Sequence, residues 1–117
     1  MALFDDLKKG AEEGLRTLKH TAEEIAFSVE KQAKIARRKM DIMRIQRRVQ
    51  KLYAEIGEYV YGEYVLERPL NIESPFVKER LFSIKDMKQE ISEIEQEIDE
   101  MKQMQPPRPD DYDHMVT

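Results

Sequence analysis

The chain has 117 residues, of which 38% are charged, with 20 basic against 24 acidic, only four Gly and five Pro, and neither Cys nor Trp. That length holds one domain, and charge so far above the roughly 25% of an average soluble domain excludes a sandwich, a barrel or a doubly wound sheet in favour of long exposed helices. Without Cys there is no disulfide framework, zinc ribbon, iron–sulfur centre or thiol nucleophile, and a net charge of −4 gives no general attraction to nucleic acid.

Residues 1–40 are expected to form an amphipathic helical arm. Phe4, Leu7, Ala11, Leu15, Leu18, Ala22, Ile25, Val29, Ala33, Ala36 and Met40 share one face, with steps averaging a helical turn. Within that face Phe4, Leu7, Leu15, Leu18, Ile25 and Val29 are the candidate interaction residues. Gly10 and Gly14 weaken the first turns. Thr21-Ala22-Glu23-Glu24 fits a capping box, so two alternatives stand: a helix restarting near His20–Thr21, or one helix from about 3 to 66. The opening Met1-Ala2-Leu3-Phe4-Asp5-Asp6 has neither the basic start nor the apolar middle of a signal peptide. No apolar run approaches the roughly 20 residues that span a bilayer.

Residues 41–105 predict an antiparallel helical hairpin. On the first helix Ile42, Val49 and Ile56 recur every seven residues, and so do Ile45, Leu52 and Tyr59. Arg68-Pro69-Leu70-Asn71-Ile72-Glu73-Ser74-Pro75 interrupts this pattern, so the connector is placed at 67–74, with Ser74 as N-cap and Pro75 at the first helical position. On the second helix Ile84, Ile91 and Ile98 form one series, and Met87, Ile94 and Met101 the other. Two seams of equal period joined by a short connector predict an all-α, antiparallel coiled-coil hairpin led by the long amphipathic arm, and an oligomer. The expected seam is Ile45, Val49, Leu52, Ile56, Ile84, Met87, Ile91, Ile94 and Ile98. Residues 106–117, with three prolines and several acids, are expected to be a tail with little structure of its own.

The densest charge feature is a basic patch of Lys31, Lys34, Arg37, Arg38, Lys39, Arg44, Arg47, Arg48 and Lys51, with Asp41 the single acid among them. Such an array can contact lipid or nucleic-acid phosphates, or it can pair with acids elsewhere in the fold. A hairpin folding about residue 70 puts position 45 beside position 95, where Glu90, Glu93, Glu95, Glu97, Asp99 and Glu100 form an acidic block. The basic block at 37–51 is therefore expected to lie against the acidic block at 90–100, within one chain or across an antiparallel partner; within one chain Arg44, Arg47, Arg48 and Lys51 would meet Glu90, Glu93, Glu95 and Glu97, leaving Lys31–Lys39 as the exposed cations. Tyr53, Tyr59, Tyr61 and Tyr64 end one helix while Phe76 and Phe82 begin the next, which predicts aromatic packing that closes the hairpin.

No catalytic, cofactor or metal constellation is expected. His20 and His114 stand alone, no Glu-x-x-His pair or Gly-rich phosphate loop occurs, and the acids around His114 lie in the tail. Val49-Gln50-Lys51-Leu52-Tyr53-Ala54-Glu55-Ile56-Gly57-Glu58-Tyr59-Val60-Tyr61 resembles a group of small bacterial helical-hairpin proteins. These open with a short amphipathic helix, run through a similar Leu-Tyr-x-Glu motif into a Glu-rich second helix, and often add a C-terminal zinc ribbon, which this Cys-free chain lacks. The resemblance implies a helical fold and supplies no activity.

The expected function is a non-enzymatic, self-associating coiled-coil scaffold or adaptor. Its partners would be further copies of itself, as a dimer or larger helical bundle, or another helical protein. The alternative is a peripheral protein that lays the arm on a membrane surface, from the cytoplasm. Nucleic acid is the least favoured partner.

Overall fold

The computed structural model describes residues 2–106. It is all-helical, with α1 over Ala2–Val65 and α2 over Pro75–Gln103, and no strand occurs among the described residues. The described residues fall into two compact units, residues 35–101 and the remainder. No proline interrupts α1, and its sequence is rich in Ala, Leu, Glu, Lys and Arg, which favours a continuous helix. Asp5 in its first turn complements the helix dipole. Of the two alternatives at His20–Thr21, the continuous helix is the one observed. Thr21 caps no helix start; its hydroxyl donates to the Thr17 carbonyl at 2.9 Å, as the Thr17 hydroxyl does to Glu13.

In the unit of residues 35–101 the two helices pack antiparallel around one seam. Its buried residues are Ile35, Ile45, Val49, Ile84, Ile94 and Ile98, with Ile42, Leu52, Ile56, Met87, Ile91 and Met101 partly buried against them. The seam therefore begins one heptad before Ile42, at Ile35, which is the least exposed of the buried residues at 3%. Val77 is buried near the connector.

The connector sets the register through a specific helix end. Glu67 adopts the left-handed conformation, φ 54°. The Arg68 N–H donates to the Glu63 carbonyl (2.9 Å) and the Glu67 N–H to that of Tyr64 (3.2 Å), the paired hydrogen bonds of a Schellman motif. On the far side Asn71 Oδ1 accepts from the Glu73 N–H (3.0 Å), and Ser74 caps α2 as expected. Its Oγ accepts from the Val77 N–H (3.4 Å) and its carbonyl from the Lys78 N–H (2.9 Å).

Cross-helix contacts then give the register. Glu55 meets Arg80, Arg38 meets Glu97, and Tyr59 stacks on Phe76. This is about five residues away from the alignment of 45 with 95 expected from a fold about residue 70. The nine residues 66–74 are the reason. They do not reverse the chain symmetrically; the last turn of α1 stands beyond the start of α2, and the connector comes back past it.

Candidate functional site

The described residues offer surfaces rather than a chemical centre. No group of three or more His, Asp or Glu side chains among them is placed to hold a metal ion, and no buried side-chain nitrogen or oxygen is left without a partner. Among the described residues no helix is long and apolar enough to cross a membrane. The tail expected at 106–117, with its acids around His114, lies outside the described residues except for Pro106, which follows α2 in irregular backbone.

The first surface belongs to the N-terminal part of α1. Phe4, Leu7, Leu15, Leu18, Ile25 and Val29 are all solvent-exposed, from 59% at Ile25 to 81% at Phe4. Their helical spacing puts them on one stripe, so the apolar area is contiguous and larger than scattered surface residues produce. Polar groups on the rest of the helix satisfy one another locally, as His20 does with Glu24 (2.9 Å) and Lys34 with Glu30 (3.5 Å). In the same unit Lys31, half-buried, directs its Nζ to the carbonyls of Lys102 and Met104, each at 2.8 Å. A cation on the last carbonyls of α2 satisfies acceptors that the helix itself leaves open. Lys31 is thus not the exposed cation that its sequence position suggested.

The second surface is on the hairpin. An open groove of about 880 Å³ runs between Met43, Gln46, Arg47, Val49, Gln50 and Tyr53 of α1 and Lys88, Ile91, Ser92 and Glu95 of α2. Val49 and Ile91 of the seam line it together with the exposed Met43 (51%) and Tyr53 (41%). Lys88 leans over the Tyr53 ring, 5.4 Å from the centroid. Met43, Gln46 and Gln50 went unnoticed in the sequence; the signal for them is that they flank the seam positions Ile42, Ile45 and Val49 on the side where Tyr53 follows.

Within the chain, most of the basic patch does not pair with the acidic block. Among the described residues of the patch, Arg38 is the one that forms an ion pair with α2, to Glu97 at 2.8 Å, while also touching Asp41 at 3.3 Å. Arg44 reaches only Asp41 of its own helix, at 3.9 Å. Among the described residues Arg37, Lys39, Arg47, Arg48 and Lys51 form no ion pair, and neither do Glu90, Glu93 and Glu95. The shifted register is the cause. Charges that would meet in the symmetric alignment are displaced along the helices by more than a turn. A basic helix and an acidic helix therefore lie side by side with most of their charge facing water.

The aromatic cluster divides in the same way. Tyr59 stacks on Phe76 at 5.3 Å between centroids, and the Arg80 guanidinium lies 3.4 Å over the Phe76 ring while its Nε donates to Glu55 at 2.8 Å. This stack closes the hairpin next to the connector. Tyr61, Tyr64 and Phe82 remain exposed. No family model, curated protein or solved structure matches the chain.

Proposed function

We propose that this chain is a non-enzymatic, self-associating helical scaffold or adaptor of the cytoplasm. The observation that carries the reading is apolar surface in excess of what one hairpin needs. A two-helix hairpin requires one seam per helix. This chain adds a stripe from Phe4 to Val29 that faces solvent and a groove beside the seam. Helices bury such faces against other helices, and further copies of the chain are the simplest source. The unpaired basic and acidic blocks support the same reading, since complementary charge between chains selects partner and orientation. Sedimentation or light scattering across micromolar concentrations tests it, and a monomer at every concentration refutes it.

Attachment to a membrane surface is the second reading, favoured by Leu3, Phe4 and Leu7, all exposed at the start of α1. Against it, residues 3–29 hold six acids (Asp5, Asp6, Glu12, Glu13, Glu23 and Glu24) and four bases (Lys8, Lys9, Arg16 and Lys19), a balance that anionic lipid repels. Flotation with anionic liposomes separates the two readings: a monomer that floats supports the membrane, and an oligomer that stays in the soluble fraction supports the scaffold.

A further inference from the structure

We propose that two copies of the chain pair antiparallel through their apolar stripes, with Leu15 of each facing Leu18 of the other. This rests on the self-association reading and names the surface and the direction of the contact. The stripe is built on a repeat: Leu7-Lys8-Lys9-Gly10-Ala11-Glu12-Glu13 returns eleven residues later as Leu18-Lys19-His20-Thr21-Ala22-Glu23-Glu24. Eleven residues make three turns of a nearly straight helix, so both repeats present the same residue types to the same side. One edge of the stripe carries Lys8, Glu12, Lys19 and Glu23, and none of these forms an ion pair among the described residues. The other edge carries Gly10, Gly14, Thr17 and Thr21. Both threonine hydroxyls donate within their own helix, and a Cβ added at either glycine meets nothing within 4 Å. That edge is uncharged and has room for a neighbour that the chain itself does not supply.

Direction follows from the two unlike edges. Parallel helices set the charged edge of one against the uncharged edge of the other, which leaves all four charges without a partner. Antiparallel helices set like edge to like edge. With Leu15 opposite Leu18, Phe4 falls opposite Val29 and Ala11 opposite Ala22, so the stripe covers itself over residues 4–29, about 38 Å at 1.5 Å per residue. In this register Lys8 lies about 3 Å along the axis from Glu23 of the other copy, and Lys19 as far from Glu12. Two-fold symmetry repeats both, giving four attractive pairs against two contacts of Glu12 with Glu23. On the uncharged edge Ile25 falls opposite Gly10, a large side chain over none. A slide by one repeat halves the charge pairs and leaves eleven residues of each stripe uncovered.

The full chain has no Cys, so substituted thiols report the geometry without background. Phe4→Cys and Val29→Cys chains, mixed in equal amounts in a glutathione redox buffer, should give the mixed disulfide about fivefold or more over either like disulfide by mass spectrometry. A second arm reverses charge. The chain with Lys8→Glu and Lys19→Glu should self-associate about tenfold or more weakly than the parent in sedimentation equilibrium, and so should the chain with Glu12→Lys and Glu23→Lys. An equimolar mixture of these two should regain the parent's affinity, because every facing pair is again opposite in sign. None of the four positions is buried, so circular dichroism of each variant should match the parent; the cysteine arm decides alone where a charge variant does not fold. In a parent that associates, like disulfides in excess, a statistical mixture or no disulfide overturns the antiparallel stripe contact and leaves self-association standing, as do reversed charges without effect. A parent that stays monomeric overturns both, and flotation of that monomer with anionic liposomes gives the stripe to lipid instead.

Discussion

Replacing Ile35 by Ala tests where the hairpin seam begins. Ile35 is 3% exposed and packs in the same cluster as Ile45, Ile94 and Ile98. The substitution removes the equivalent of about three methylene groups, worth about 2.4 kcal/mol at ~0.8 kcal/mol each. A cavity adds to that loss in a rigid core, yet two helices can close over a small gap more easily than a layered interior, so the total should fall near 2–3 kcal/mol. Urea denaturation followed at the helical circular dichroism band measures it, at fixed protein concentration and with Met40→Ala as control. Met40 lies five residues away on the same helix, is 54% exposed, and should change stability by no more than about 0.5 kcal/mol. The midpoint should shift for Ile35→Ala without a change in slope. A loss below about 0.5 kcal/mol would mean that the seam starts at Ile42 and that Ile35 packs without consequence.

Three further outcomes are expected from the same denaturation assay. Glu67→Gly should stabilise the chain by about 1 kcal/mol, because the left-handed conformation that Glu67 holds at the end of α1 costs a side-chain-bearing residue roughly that much; no change would show that the cap carries no strain. Gly57→Ala should stabilise by about 0.5–1 kcal/mol, since an added Cβ meets nothing within 4 Å and Ala is the better helix former; a destabilised variant would reveal a contact there. Arg80→Lys should cost about 1 kcal/mol despite conserving charge, because a lysine cannot both donate to Glu55 and lie flat on Phe76, and a neutral result would show that charge alone accounts for the site.

The seam was legible because a seven-residue period survives any register. Ile84, Ile91 and Ile98 must face one direction wherever the connector puts them, and the same holds for Val49 and Ile56. Ile35 was hidden for a definite reason. It belongs to the series Ile42, Val49, Ile56, but it sits among Ala33, Ala36 and Met40, which continue the other stripe at 3.6-residue spacing. Two periods overlap within those eight residues, and the more populated one masks the other. The register was not legible at all, because it depends on a left-handed residue that no glycine marks: Glu67 gives no sign of its conformation in the sequence. From that single unread position follows the misplacement of the charges. Composition identified a basic and an acidic helix correctly, and only the offset between them decides that Arg38, rather than Arg44 to Lys51, crosses to the acidic side. The groove depends on both features, since flanking positions acquire meaning only after the seam and the register are fixed.

The buried residues have a thermodynamic consequence. Ile35 retains 3% of its surface in water and the other six between 5% and 8%, so the interior has length and no depth. Each layer of the seam rests on the layers before and after it and on nothing else, as in a repeat protein. Such a strip frays rung by rung, and amide exchange should be graded along it, slowest around Val49 and Ile84. A molecule lying along one flank supplies the missing dimension and ties distant rungs into one cooperative transition. Anything that binds the folded strip also stabilises it by mass action. Folding and assembly then share one equilibrium, in which the concentration of the chain sets how firmly each copy is folded.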